Sequence, residues 1–114
     1  MPARRAAALP PHVFQILLAL ADRDLHGLGI MHDVHERSGG GVRLWPGALY
    51  RTLRQMERSG LIAPTPGPET PEPGSPRYFR LTTAGRQACA AEAARLADLV
   101  AVARARRVLG KGRP

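Results

Sequence analysis

The chain has a single cysteine, Cys89, among its 114 residues. An internal disulfide is therefore excluded, and a lone thiol fits a reducing compartment, where it serves either as a small buried hydrophobe or as a redox sensor. Long apolar runs are also absent. No stretch approaches the ~20 consecutive apolar residues that span a bilayer, and the N-terminal MPARRAAALPPH lacks the apolar core and cleavage pattern of a secretory signal. A cytoplasmic protein that does not span a membrane is expected. Acids are scarce: nine Asp and Glu stand against seventeen Lys and Arg, a formal net charge of +8. Such an excess suits an anionic partner, either nucleic acid or an anionic membrane surface, and charge alone does not choose between them.

The patterns that carry enzyme chemistry are missing as well. The triple glycine at 39–41 lacks the Lys-Ser/Thr of a phosphate-binding loop, so nucleotide hydrolysis is unsupported. No nucleophile stands beside a plausible base and orienting acid. His26, His32 and His35, with Asp33 and Glu36, raise the question of a metal site, since His32 and His35 share a helix face at i, i+3. Without a cysteine pair or a metal motif, a solvated helix face is the better reading. No enzyme, metal or cofactor is expected.

At this length the chain suits one domain, whose core buries roughly two thirds of the unfolded surface. Pro10 and Pro11 can open a helix, where a missing amide costs nothing, and Val13, Ile16, Leu17 and Leu20 recur at i, i+3, i+4, i+7 over residues 11–22. A second helix is expected over 28–37, with Ile30, Met31 and Val34 inward and the triple glycine ending it. A third starts after Pro46 and runs to about Ser59, where Gly60 stops it. The period then changes. LIAP and RYFRLT read as two short strands. Between them, residues 64–76 carry six prolines; proline donates no ladder hydrogen bond, so a mobile loop is expected there. Glu69 and Glu72 give that loop negative charge, which a phosphate would repel. Thr82 or Thr83 can cap a last helix over 84–109. No internal repeat is present.

Three helices followed by a hairpin make the order of a winged helix-turn-helix, in which the third helix enters the DNA major groove and the hairpin touches the neighbouring backbone. The expected fold class is mainly α with a small two-stranded β wing, followed by a long C-terminal dimerisation helix. Residues 1–82 would form the DNA-binding domain and 83–114 the dimerisation helix and basic tail. At about 100° per residue, Leu49, Leu53, Met56 and Gly60 fall on an inward stripe, while Gly47, Arg51, Arg54 and Arg58 face outward. Only one acid, Glu57, lies between residues 42 and 60, so the pairing that quiets a surface helix is nearly absent. Pro46, Gly47 and Ala48 leave the helix N-terminus uncrowded for a phosphate. Tyr50 sits on the flank, where its hydroxyl can reach the backbone.

The last helix carries Leu96, Leu99, Val100 and Ala103 on one side and has no aromatic residue. It is too long for a three-helix core to cover. A second copy of the same helix is the economical partner, because a two-fold dimer would set two recognition helices about one DNA turn, ~34–36 Å, apart; the alternative is a helix folded back on its own domain. Arg4 and Arg5, and the run Arg104, Arg106, Arg107, Lys111 and Arg113, read as solvated charge or a nonspecific electrostatic aid.

LHGLGIMHDVHERSGG, LWPGALYRTLRQMERSGLI and PRYFRLTTAG, in that order, resemble the signature segments of the PadR family of bacterial transcriptional regulators over residues 9–88. The ordered combination of His26-Gly27, Pro46-Gly47 with Leu49-Tyr50, Gly60-Leu61, and Tyr78 with Leu81-Thr82 and Gly85 carries the resemblance. It implies a homodimeric repressor on a palindromic operator, with the C-terminal helix supplying dimer contacts and a small-molecule effector or another signal releasing the DNA. It also implies that Tyr50 touches the DNA backbone and that Arg77, at the wing strand, binds phosphate with Arg80 as a weaker second. Gly27 and Gly60 would be structural. Arg51 stands where the family often has proline, and could read a base edge, guanine most naturally. The competing function is a basic dimeric interaction module that binds a protein or RNA without operator specificity. A sequence preference of ~10³-fold over random DNA separates the two.

Overall fold

The computed structural model describes residues 8–67, 74 and 76–110; the expectations resting on Arg4, Arg5, Glu69, Glu72, Lys111 and Arg113 lie outside the described residues. Helix α1 spans Pro11–Asp22 with proline at its first position and buries Ile16, Leu17, Ala19 and Leu20. Helix α2, Gly27–Arg37, begins one residue earlier than the periodicity predicts because His26 caps it: Nδ1 accepts the Gly29 amide at 2.9 Å. A neutral His26 in this pose carries its proton on Nε2. Gly39 and Gly40 follow at φ 62° and 86°, left-handed conformations that cost glycine least. Arg37 ties α2 to α1, bonding Asp33 at 2.7 Å and the Gln15 side chain at 3.1 Å.

Helix α3, Pro46–Arg58, buries Leu49, Thr52, Leu53 and Met56. Gly60 is not on this inward stripe, contrary to expectation. It is exposed, and its role is the turn: at φ 78° it lets the Leu61 amide reach back to the Met56 carbonyl at 2.9 Å, closing the helix end.

The strands are β1 (Leu25–His26), β2 (Ile62–Thr65) and β3 (Tyr78–Leu81), in the order β1-β3-β2. The two-stranded wing is therefore joined by a third, very short strand, paired Leu25 to Phe79 and His26 to Tyr78. Thr65, expected in the loop, lies in β2 opposite Tyr78, and Pro64, read both as the end of the LIAP strand and as the start of the loop, lies in β2 opposite Phe79. As the sheet's edge, β2 tolerates a residue without an amide proton. The remaining loop residues 68–73 and 75 lie outside the described residues.

Thr82 links the wing to the last helix. Its hydroxyl donates to the Gly60 carbonyl and accepts the Gly85 amide at 2.9 Å, which caps α4, Thr83–Ala105. Gly85 lies so close to the Leu61 carbonyl that no Cβ fits. Only the first part of α4 joins the core, through Gly85, Cys89 and Glu92. Burial pushes the Cys89 thiol up, partly offset by Arg86, so the thiol behaves as a small apolar side chain. Glu92 is buried, accepting the Leu9 amide at 3.2 Å and Arg95 Nε at 3.0 Å. The Arg95 hydrogen bond, helped by the Leu9 amide against the opposing effect of burial, holds its carboxyl below the usual range. The helix ends at Ala105 rather than near 109, where Arg107 turns the chain at φ 63°. Among the described residues no helix is long and apolar enough to cross a membrane.

Candidate nucleic-acid interface

Helix α3 owes its outward face to the same periodicity that fills the core. With Leu49, Leu53 and Met56 drawn inward, Gly47, Ala48, Arg51, Arg54 and Arg58 are all exposed. Among the described residues no carboxylate lies within 4.0 Å of Arg51, Arg54 or Arg58. These guanidinium groups project together, unneutralised. At the N-terminus, Trp45 has an extended backbone and makes no side-chain cap. Pro46 and Gly47 are exposed, and the space around Gly47 is open, so nothing crowds the positive end of the helix.

Tyr50 occupies the flank as expected, 45% exposed. Its ring lies on Gly27, where an added Cβ would stand 2.6 Å from the hydroxyl oxygen. This contact explains the glycine at the start of α2: a larger residue would displace the tyrosine. Tyr50 and Arg54 line one side of a cleft of about 240 Å³, and Arg77 from the wing base lines the other. The structure thus brings Tyr50, Arg54 and Arg77 together. It does not bring Arg80 to them. Strand alternation puts Arg80 on the sheet face opposite Phe79, exposed, with a 3.5 Å contact to the next carbonyl, that of Leu81, as its hydrogen bond among the described residues.

Glu57 is the residue that sequence reasoning missed. It was visible as the lone acid of α3, yet its partner is 20 residues away: Arg77 Nη2 donates to both carboxylate oxygens, at 3.4 and 3.5 Å. The same guanidinium lies 5.4 Å from the Phe79 ring centre, a second attraction that holds it over the wing base. His26 packs edge-on against Tyr78, centroids 5.0 Å apart, and serves as a cap. His32 meets Glu36 at 3.5 Å. Among the described residues no three His, Cys, Asp or Glu side chains are grouped to hold a metal ion.

Far along α4, Leu96 and Ala103 are partly covered, whereas Leu99 is 53% and Val100 40% exposed. Val102, unassigned from the sequence, is also exposed. Beside α3, a groove of about 400 Å³ runs between α2 and residues 43–46. Trp45 forms part of its wall, 64% exposed, with the Arg43 guanidinium 5.4 Å from its ring.

A family model described as the transcriptional regulator PadR-like family matches residues 16–91. The transcriptional regulator Rv3488 of Mycobacterium tuberculosis is 35% identical over 95 residues, covering 83% of this chain and 79% of that protein. An uncharacterized 37.1 kDa protein in transposon TN4556 of Streptomyces fradiae is 40% identical over 84 residues, 74% of this chain but 22% of that much longer protein. Among solved structures, a PadR family transcription regulator from Clostridium difficile R20291 superposes with a TM-score of 0.70 at 26% identity, covering 86% of this chain and 97% of that one. Bacillus subtilis PadR in complex with operator DNA gives 0.59 at 18% identity, covering 92% of this chain and 51% of that one, a likeness of fold alone.

Proposed function

The chain belongs to the PadR-like family of transcriptional regulators, and from that premise we propose that it is a dimeric repressor that lays α3 in the major groove of a palindromic operator and lets go on a small-molecule or other signal. The observation that carries this reading is the outward face of α3, where Arg51, Arg54 and Arg58 stand exposed without a carboxylate within reach among the described residues. Burying such a row against protein would strand several charges, whereas phosphates and guanine edges satisfy them. Arg51 and Arg54 read the groove, with Arg58 toward its edge. Tyr50 and Arg77 hold the backbone across their cleft, and Pro46, Gly47 and Ala48 bring the positive end of the helix to a phosphate. Arg80, on the other face of the wing, is at most a peripheral electrostatic contact.

The dimer reading is supported by Leu99 and Val100, large apolar side chains left in water on the part of α4 that no longer touches the core. Leu96 and Ala103 flank them on the same side. In this reading residues 1–82 are the DNA-binding unit and 83–114 the dimerisation helix and tail. The groove beside Trp45 supports the effector part, because its wall includes Pro46, the first residue of α3. The operator of the Bacillus subtilis protein is a precedent for the duplex partner.

Footprinting of the DNA upstream of the protein's own gene tests the proposal as a whole. Two symmetric protections with centres about one helical turn, ~34–36 Å, apart are expected. A single unpaired protection removes the two-fold arrangement, and uniform weak coverage favours a basic module without operator specificity.

A further inference from the structure

We infer that Glu57 is a specificity-determining residue of this interface: it engages Arg77 so that the cation is withheld from loosely docked DNA and yielded only to a phosphate seated in the cleft between α3 and the wing base. The inference rests on α3 being the helix that faces the duplex. Glu57 is the acid of a helix whose other charged side chains are arginines, and it points across to the wing rather than along its own helix. Its carboxylate meets Arg77 while the Phe79 ring lies against the same guanidinium, so Arg77 has a defined resting place. The pair is open to competition, since the side chains of Arg77 and Glu57 are 60% and 32% exposed. Exposed ion pairs of this kind are weak.

The consequence follows from how the two modes of DNA binding differ. Nonspecific association depends on the number of cations that neutralise phosphates. There Glu57 acts by occupying Arg77 at the cleft that Tyr50 and Arg54 share, so that one cation fewer is free to neutralise a phosphate. Only when α3 is fully seated does a phosphate come close enough to Tyr50 and Arg77 to displace the carboxylate. Glu57 therefore weakens random binding more than operator binding, which widens the difference between them.

The test uses the full chain and four proteins: the natural sequence, Glu57→Gln, Arg77→Ala and the double variant. Binding is measured by fluorescence anisotropy on a random duplex and on the duplex protected upstream of the gene, across a salt series. Glu57→Gln should bind random duplex several-fold tighter, with a log–log salt slope steeper by about 0.9, one further phosphate neutralised. Its preference for the protected duplex should fall. In the Arg77→Ala background the same substitution should leave the salt slope nearly unchanged. An unaltered preference and slope in Glu57→Gln overturns the inference, as does a steepening that persists without Arg77, which would make Glu57 a plain surface charge. If the natural protein binds neither duplex, the functional reading fails and this inference with it; binding by the natural protein with no Glu57 effect sinks the inference alone.

Discussion

Gly27→Ala isolates the interface from the fold. An alanine Cβ there would lie 2.6, 2.8 and 2.9 Å from Oη, Cζ and Cε1 of Tyr50, against the roughly 3.5–4.0 Å at which carbon atoms rest. The ring must retreat by about 1 Å to restore that separation, and being 45% exposed it has solvent to retreat into. The stability terms nearly cancel. At the first position of α2, alanine gains only a fraction of the ~1 kcal/mol it has over glycine in a helix interior. Tyr50, already partly solvated, loses a fraction of the ~1.5–3 kcal/mol that full burial of a large side chain brings. The net change should stay within about 1 kcal/mol, a shift of no more than ~4–8 °C in Tm. DNA binding has no such compensation. A hydrogen bond to a charged group contributes about 1.5–3 kcal/mol, so the displaced hydroxyl should lower affinity roughly tenfold or more. Calorimetry of the free protein and anisotropy on duplex DNA measure the two effects separately, with Tyr50→Phe as the companion that removes the hydroxyl and keeps the ring. Unchanged affinity in both variants, or a collapse of Tm in Gly27→Ala, would refute the reasoning.

Two further substitutions address the scaffold. Leu53 is 1% exposed at the centre of the core, so Leu53→Ala should cost ~2–5 kcal/mol of folding free energy in a denaturant titration; a loss below about 1 kcal/mol would remove α3 from the core. Glu92 has its folded-state pKa lowered, chiefly by the Arg95 hydrogen bond. The pair therefore contributes stability above the ordinary carboxylate range, and that contribution is lost as pH falls through the lowered value. Glu92→Gln should be less stable than the natural chain at neutral pH and lose less on acidification to about pH 3, as read from Tm against pH; parallel curves would contradict the assignment.

The helices were legible because their signals are local. Pro10-Pro11 and the spacing of Val13, Ile16, Leu17 and Leu20 set α1 at its observed bounds, and Pro46 with Leu49, Leu53 and Met56 did the same for α3 to within a residue. Thr52 escaped because a hydroxyl does not register as apolar, although it lies three residues from Leu49 on the buried side. The strand Leu25–His26 could not be foreseen, since two residues show no alternation and pairing with β3 depends on where the hairpin folds. The outward arginines were readable from helix geometry alone. What they stand beside was not: the Glu57–Arg77 pair and the seat of Tyr50 on Gly27 join segments about 20 residues apart or more, and only the packed arrangement of α2, α3 and the wing creates them.

The central claim is that the exposed side of α3 meets the duplex, and the most direct measurement is the affinity of the Arg51→Ala/Arg54→Ala protein for the footprinted DNA, taken beside its melting temperature. At ~1–3 kcal/mol per contact, binding should weaken by about 100-fold or more while Tm stays close to that of the natural chain. Binding that survives the loss of both arginines, or a protein that no longer folds without them, would contradict it.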